Sequence, residues 1–174
     1  IPSFDTSNVT SMSSMFEGCV SLKNVPLLNT SSVTSTSSMF RYCENLTTLP
    51  QLNTSGVTSM NQMFFGCKKL YELPELNAEK VVNLNSIFSS CFSLTNFGGL
   101  KNLGNAFLTT TSANSSNCTL KLDDCKDLTH ESLLNVINNL YDIKTKGCNT
   151  QKLVLGSANL AKLTADEIAI ATNK

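Results

Sequence analysis

The sequence is short of charge and of the side chains that usually do chemistry. Its 174 residues include 13 basic and 13 acidic residues, one histidine and no tryptophan, and the formal net charge is zero. A chain without an excess of positive charge lacks the electrostatic footprint of a nucleic-acid-binding protein. We therefore expect no nucleic-acid partner.

Long hydrophobic runs are absent as well. The longest, residues 63–65 and 168–171, fall far short of the roughly 18 apolar residues that suggest a membrane-spanning helix. We therefore expect no direct membrane insertion of this segment. The 41% hydrophobic content is nevertheless enough for one continuous core.

Motifs for catalysis or metal binding are also missing. The sequence has no phosphate-binding glycine loop, no EF-hand loop and no CxxC pair. His130 stands beside Glu131 without a nucleophile that any motif places near it, and we interpret it as a surface or first-turn residue. Asp123 and Asp124 are adjacent and would face opposite ways on a strand, so we interpret them as solvated turn residues. We expect a non-enzymatic protein with no catalytic residue, no cofactor and no metal.

Cysteine, in contrast, is plentiful, with seven residues. Four of them recur every 24 residues: Cys19, Cys43, Cys67 and Cys91. A repeated position in a stack has the same environment in every copy, and cysteine is among the residues most often fully buried. We therefore expect a column of buried, reduced thiols. Cys118, Cys125 and Cys148 lie outside this spacing, and whether any of them forms a disulfide stays open.

The same period organises residues 1–97 into four units. Unit two reads VPLLNTSSVTSTSSMFRYCENLTT and unit three reads LPQLNTSGVTSMNQMFFGCKKLYE. Eight positions per unit hold apolar residues or cysteine with one exception, Thr36, and we expect them to be buried. In unit two they are Val25, Leu28, Val33, Thr36, Met39, Phe40, Cys43 and Leu46. A 24-residue period lies within the range of leucine-rich repeats.

The spacing also predicts the shape of one unit. Val9, Met12, Phe16 and Cys19 are three or four residues apart, which places them on one face of a short helix or helical turn. Residues 22–28 are too few for a helix and include Pro26, one of a column of prolines, which should end a short strand or sit at a bulge there. One unit of this size cannot offset its ordering entropy alone, so the units must stack. The strands then pair about 4.8 Å apart in a parallel sheet, with right-handed connections.

Residues 98–174 depart from the repeat and predict a cap of longer strand–helix units. Strands are expected at residues 119–123 and 152–155. Thr129 should cap a helix, and Thr164 and Glu167 should form a capping box for the last one. The first helix should pack through its apolar side chains: Leu133, Leu134, Ile137, Leu140 and Tyr141. Because the first unit begins in mid-repeat, we expect the chain to be part of a longer protein with further repeats upstream.

The strings FDTSNVTSMSSMFEGC, NTSSVTSTSSMFRYC and NTSGVTSMNQMFFGC closely resemble the BspA-like bacterial leucine-rich repeats, also called the mycoplasma-type lipoprotein repeat. The strings LTHESLLNVINNLYDI and LVLGSANLAKLTADEIAIATNK resemble the ending of many such proteins from gut bacteria and their phages. The matches cover about residues 1–97 and 118–174, and residues 98–117 depart from the pattern. The period and the resemblance together predict an α/β fold. The predicted fold is a right-handed leucine-rich-repeat solenoid with a parallel sheet on one face, short helical segments on the other, and a C-terminal cap.

The resemblance further implies a cell-surface or secreted protein that acts in adhesion. The alternative that it leaves open is a phage virion protein, either a tail or capsid decoration or a host-receptor-binding component. The expected ligand is a protein or a carbohydrate on a host or neighbouring cell. The oligomeric state stays open.

Binding should use the positions that the core leaves free. Three variable columns flank the expected strands. Their candidate residues are Lys23, Asn24, Thr47, Thr48, Gln51, Tyr71, Glu72 and Glu75. Tyr71 beside Glu72 and Glu75 is the most promising contact patch, because aromatic side chains supply a large contact area. Six asparagines match the glycosylation pattern, and we interpret them first as turn residues.

Overall fold

The computed structural model describes residues 5–103, 119–140 and 152–173. Its strands and helices are β1 (Glu72–Leu73), β2 (Leu76–Asn77), β3 (Asn96–Phe97), β4 (Leu100–Lys101), β5 (Thr119–Lys121), α1 (His130–Asn139), β6 (Lys152–Val154), α2 (Gly156–Leu160) and α3 (Ala165–Asn173). The strand pairs β1–β3, β2–β4 and β5–β6 are all parallel. Among the described residues, no helix is long and apolar enough to span a bilayer.

Consecutive units lie side by side with a register of 24 residues. Isolated parallel bridges join Ser11 to Ser35, Ser35 to Ser59, and Ser59 to Asn83. The pair β1–β3 keeps the same offset, with Glu72 opposite Asn96. Equivalent residues of successive units are therefore neighbours in space.

The segments expected to be helical are consecutive turns instead. The Met15 N–H donates to the Met12 carbonyl at 3.2 Å, and the Cys19 N–H donates to the Phe16 carbonyl at 3.0 Å. Ser14 has a φ of 58°, in the left-handed region, so a right-handed helix cannot continue through it. Its N–H donates to the carbonyl of Ser37 in the next unit at 2.9 Å. The backbone on this side of the stack therefore bonds between units, and we call it the turn wall.

The proline column occupies the position that its chemistry requires. Pro74 stands immediately after β1, which ends at Leu73, and just before β2, which starts at Leu76. Because proline has no N–H to donate to a ladder, it interrupts the strand there. The expectation that proline ends a short strand is confirmed in this unit, whereas residues 22–28, on which the sequence predicted it, contain no strand.

The interior is a set of apolar columns, as the period predicts. All eight repeat positions of unit two are buried, including Thr36, whose hydroxyl donates to the Ser59 carbonyl at 3.4 Å. The phenylalanine rings of successive units stack nearly parallel, with centroids 5.5 Å apart for Phe16 and Phe40 and 5.8 Å apart for Phe40 and Phe64. Phe97 closes this stack edge-on against Phe88 at 5.0 Å. The hydrophobic core then continues through β5 and α1 to Leu155.

The thiol column is present, with two corrections. Cys43, Cys67 and Cys91 are buried, and each Sγ donates to a phenylalanine carbonyl of the preceding unit at 3.0 to 3.1 Å. Cys19, in the first unit, is exposed. Cys125, which the spacing placed outside the column, is buried below Cys91 with its Sγ 3.9 Å from the Phe88 carbonyl oxygen. These five cysteines are free, and Cys118 and Cys148 lie outside the described residues.

This arrangement predicts a sharp division of thiol reactivity. Burial raises the pKa of Cys43 and of Cys125 to about 12, and the thiolate is the reactive form. In a variant with Cys118 and Cys148 replaced by serine, a chromogenic disulfide reagent should modify Cys19 quickly in the native protein. The other four thiols should react only after unfolding in denaturant. Two or more rapidly reacting thiols in the native protein would contradict the buried column.

The C-terminal elements follow their capping signals. The Thr129 hydroxyl accepts the N–H of Ser132 at 3.1 Å at the start of α1. At α3 the Thr164 N–H donates to Glu167 Oε2 at 2.7 Å, and the Glu167 N–H donates to Thr164 Oγ1 at 3.3 Å. The predictions for these two helix starts and for strands β5 and β6 are confirmed, whereas α2 was not predicted. Of the apolar side chains expected to pack, Leu133, Ile137 and Leu140 are buried, Leu134 is only partly buried, and Tyr141 lies outside the described residues.

Candidate functional site

An asparagine follows the proline column in units two to four and fixes a turn there. The Oδ1 atoms of Asn29 and Asn53 accept the N–H groups of Ser31 and Ser55, each at 3.1 Å. Asn77 Oδ1 accepts the N–H of the residue two positions on at 2.9 Å. Unit one has Asp5 in this position, with the same contact to Ser7 at 2.9 Å. We call these three asparagines the asparagine column.

A buried threonine column lies directly behind these turns. Thr6 Oγ1 donates to the Asn29 carbonyl and Thr54 Oγ1 donates to the Asn77 carbonyl, both at 2.9 Å. Thr30 Oγ1 accepts the Asn53 N–H at 2.8 Å. Each hydroxyl therefore bonds to the main chain of the asparagine in the next unit. This contact fixes the position of that asparagine along the stack.

A shallow groove of about 720 Å³ runs past this column over five consecutive segments of the stack. Its walls are the asparagine column with the serines after it, the exposed positions just after the proline column, Leu27, Gln51 and Glu75, and Lys101, which pairs in register with Asn77. We call it the asparagine groove. Because it crosses several unit boundaries, a ligand in it would contact several repeats at once.

Charge in the asparagine groove is almost balanced. Lys101 Nζ lies 4.0 Å from Glu75 Oε1, and both side chains are about half exposed. The Gln51 Nε2 donates to the Glu75 main-chain carbonyl at 2.8 Å, which joins units three and four. The other ionisable group is Asp5, whose pKa is lowered by the hydrogen bond from the Ser7 N–H. The groove therefore offers mainly amide and hydroxyl groups.

A second groove, of about 510 Å³, lies between the strands and α1. It is lined by the positions just before the proline column, Thr48, Glu72 and Asn96, and by Glu131 and Asn135 of α1. We call it the helix groove. It is more acidic than the asparagine groove, since two glutamates face it.

The structure divides the eight predicted contact residues among several places. Their locations are as follows: Gln51 and Glu75 line the asparagine groove, Thr48 and Glu72 line the helix groove, and Lys23 and Asn24 line a depression of about 700 Å³ in the loop of residues 18–24. Thr47 and Tyr71 line none of these three. Tyr71 is 44% exposed and accepts the Thr95 N–H with its carbonyl. The predicted residues therefore lie along the side of the stack that carries β1 to β4, which we call the strand side, but they do not form one pocket.

Sequence reasoning missed the asparagine column as a surface feature. The recurring NTS string signals it, but that string was interpreted only as turn chemistry. It also missed a cluster on the turn wall, where the Arg41 guanidinium lies 4.5 Å from the Tyr42 ring centroid and pairs with Glu17. Tyr42 has a φ of 60° in a column where Gly66 stands in the next unit, and Phe65 meets its ring edge-on at 5.3 Å. The visible signal was a tyrosine in a position that two other units fill with glycine.

The ionisable residues considered for chemistry are engaged in contacts between elements. His130 Nε2 lies 3.0 Å from Glu167 Oε1, which joins α1 to α3, and His130 is exposed as expected. The pKa of Glu167 is lowered first by the Thr164 N–H and next by His130. Asp123 is exposed in a turn, but Asp124 is only partly exposed and accepts the Ser90 N–H at 2.8 Å. Residues 5–103, 119–140 and 152–173 hold no group of three His, Cys, Asp or Glu side chains that could bind a metal ion.

Successive 24-residue units joined by parallel backbone bonds define the class: this is a repeat protein. Residues 1–100 and 39–119 match the family described as Mycoplasma protein of unknown function, DUF285, and the chain belongs to that family. The mycoplasma-type part of the resemblance is thereby confirmed. No curated protein and no solved structure matches the chain.

Proposed function

We propose that the chain is a right-handed leucine-rich-repeat solenoid of the BspA-like type and serves as a non-catalytic binding module. It belongs to a bacterial cell-surface or secreted protein and attaches it to a protein or glycan on another cell. The observation that carries the proposal is the 24-residue register. It aligns the variable side chains of successive units along grooves that cross unit boundaries.

Some columns of the repeat form the core and others are exposed, and this separation supports a binding role. In units two to four the apolar columns and the cysteines are buried, and the buried threonines bond to neighbouring units. The positions before and after the proline column, such as Glu72 and Gln51, are exposed and take no part in the core. In stacked repeats such positions can vary without loss of the fold, so they are free to specialise for a ligand.

The balanced charge determines how such a surface would recognise its ligand. With zero formal net charge, long-range electrostatic steering contributes little to association. Affinity then comes from hydrogen bonds and shape over several units. We therefore expect binding to depend only weakly on salt concentration.

Binding of the fluorescently labelled chain to intact cells tests this function. Replacing Tyr71 and Glu72 together by alanine should lower cell-bound fluorescence at a fixed concentration by about tenfold, because central contact residues typically contribute over 1 kcal/mol each. The matched control replaces one exposed aromatic and one exposed acid elsewhere, Phe92 and Asp127, by alanine. It should bind like the native chain.

Treating the cells before the measurement identifies the kind of ligand. Loss of binding after protease treatment indicates a protein, and loss after periodate oxidation indicates a glycan. Absence of binding to every bacterial and host cell type tested would refute the adhesion role. Equal loss for the strand-side and control variants would refute the assignment of the strand side.

A further inference from the structure

We propose that the asparagine groove binds an uncharged polysaccharide whose chain runs along the stack, roughly one sugar ring per unit. This inference rests on the proposed binding function and gives it a ligand class and a location. It depends on four features of the groove: its donors, its acceptors, its repeat distance and its charge.

The donors are the side-chain amides of the asparagine column. The Oδ1 atoms of Asn29, Asn53 and Asn77 are each held by a backbone N–H two residues on. This contact fixes the plane of the carboxamide and leaves the Nδ2 group with two N–H donors. In the described part of the chain, none of these three Nδ2 groups has a hydrogen-bond partner. Three donors in equivalent orientation thus line the groove.

The acceptors are the serine hydroxyls beside them. Ser31 Oγ and Ser55 Oγ each donate their hydrogen to the Oδ1 of the asparagine two residues earlier at 2.7 Å. A hydroxyl that donates in this way keeps its lone pairs to accept. Units two and three therefore each present a donor and an acceptor side by side. A sugar hydroxyl accepts and donates through one oxygen, so it matches this pair at a single point, whereas a peptide has to use its carbonyl and its N–H, which are separate groups.

The repeat distance favours a sugar chain over an extended peptide. Parallel neighbours in a stack are about 4.8 Å apart, while an extended peptide advances by about 3.3 Å per residue. An extended peptide therefore does not present an equivalent group to each successive asparagine, and comes back into register only at every second unit. A linear hexopyranose chain advances by a length close to the stacking distance for each ring, so equivalent hydroxyls can meet successive asparagines.

The charge balance of the groove and one exposed apolar side chain determine which class of sugar it can bind. Glu75 and Lys101 offset one another at 4.0 Å, which leaves no surplus positive charge for an acidic polysaccharide. Leu27 is 74% exposed in the same column as Gln51 and Glu75. Its side chain offers an apolar contact for the C–H face of a sugar ring. An uncharged chain fits both features.

Titration calorimetry with neutral linear hexose oligosaccharides, from two to six rings long, tests the proposal on the full chain. Affinity should rise with each added ring over the first few rings, as each engages another unit, and then level off. Asn53→Asp should weaken binding by about tenfold or more, because it removes a central donor. The turn itself should persist, since Asp5 makes the same turn in unit one. Asn85→Asp introduces the same charge at an exposed position on the turn wall and should leave affinity unchanged.

The outcomes separate this inference from the proposed function. If the native chain binds cells but no neutral oligosaccharide, the sugar assignment is wrong and the binding role stands. Sugar binding that Asn53→Asp leaves unaltered, or that Asn85→Asp weakens equally, overturns the groove assignment. If an uncharged peptide binds in an Asn53-dependent manner and sugars do not, the ligand class is wrong. Failure to bind either cells or sugars removes both proposals.

Discussion

Replacing Phe64 by alanine should lower the free energy of unfolding by about 3–5 kcal/mol, the usual cost of removing a buried aromatic side chain. Phe64 is completely buried, and its ring stacks between Phe40 at 5.8 Å and Phe88 at 5.7 Å. The substitution removes apolar contacts on both faces and leaves a cavity in the middle of the stack. Neighbouring units cannot close it readily, because backbone hydrogen bonds hold them at a fixed spacing.

Denaturant-induced unfolding followed by circular dichroism measures this change. Phe92→Ala is the matched control, because Phe92 is 49% exposed and substitutions at such sites usually change stability by no more than about 0.5 kcal/mol. Phe16→Ala should fall between them, since among the described residues its ring stacks against Phe40 alone. A loss below about 1 kcal/mol for Phe64→Ala would be incompatible with a close-packed column.

The interior of the repeats could be predicted because each buried position is sampled several times. Val33, Val57 and Val81 repeat one requirement, so their common apolar character identifies a core position without any alignment to other proteins. The helix starts at Thr129 and Thr164 could be predicted for a different reason. Capping is a local hydrogen bond, and its signal is contained in a few neighbouring residues.

The turn wall could not be predicted in the same way. The spacing of Met12 and Phe16 fits a helical face, and consecutive turns present the same spacing. The turns differ from a helix in the left-handed backbone at Ser14, Ser38 and Gln62. Serine and glutamine do not indicate that conformation in a sequence. The decisive bonds run from unit to unit, so they depend on the stack and not on local sequence.

Two further features could not be predicted from the repeat pattern. They are the cysteines at the two ends of the thiol column and the separation of the strand side into different grooves. Cys125 joins the column after a step of 34 residues from Cys91, which a fixed period cannot find. Cys19 is exposed although it has the same spacing as the buried Cys43, Cys67 and Cys91. The three variable columns looked like one surface in sequence. The break at Pro74 places the residues before it and after it in separate grooves.

Of the substitutions proposed here, Asn159→Leu should cause the second-largest loss in the free energy of unfolding. It is completely buried in α2, and its Nδ2 donates to three backbone carbonyls, those of Leu122 at 3.0 Å, Cys125 at 3.1 Å and Leu155 at 3.0 Å. One side chain thus joins α2 to the segment after β5. Asn159→Leu keeps a similar volume but removes both donor hydrogens, so these buried carbonyls lose a partner. We expect a loss of about 3 kcal/mol in urea unfolding, against a small change for Ser157→Ala, an exposed residue of the same helix.

Asn159→Asp separates the loss of donors from the introduction of a charge. The introduced carboxyl faces three carbonyl oxygens in a buried site, which disfavours its ionised form, so its pKa in the folded protein lies above the unfolded value of about 3.9. A group with a raised folded pKa is least destabilising below the unfolded value, where it is protonated in both states. Its penalty grows as the pH rises through the folded value. The melting temperature of this variant should therefore fall further below that of the native chain between mildly acidic and neutral pH, while the deficit of Asn159→Leu should stay constant. A deficit of Asn159→Asp that does not change with pH would mean that water reaches the carboxyl, and that residue 159 is not buried in solution.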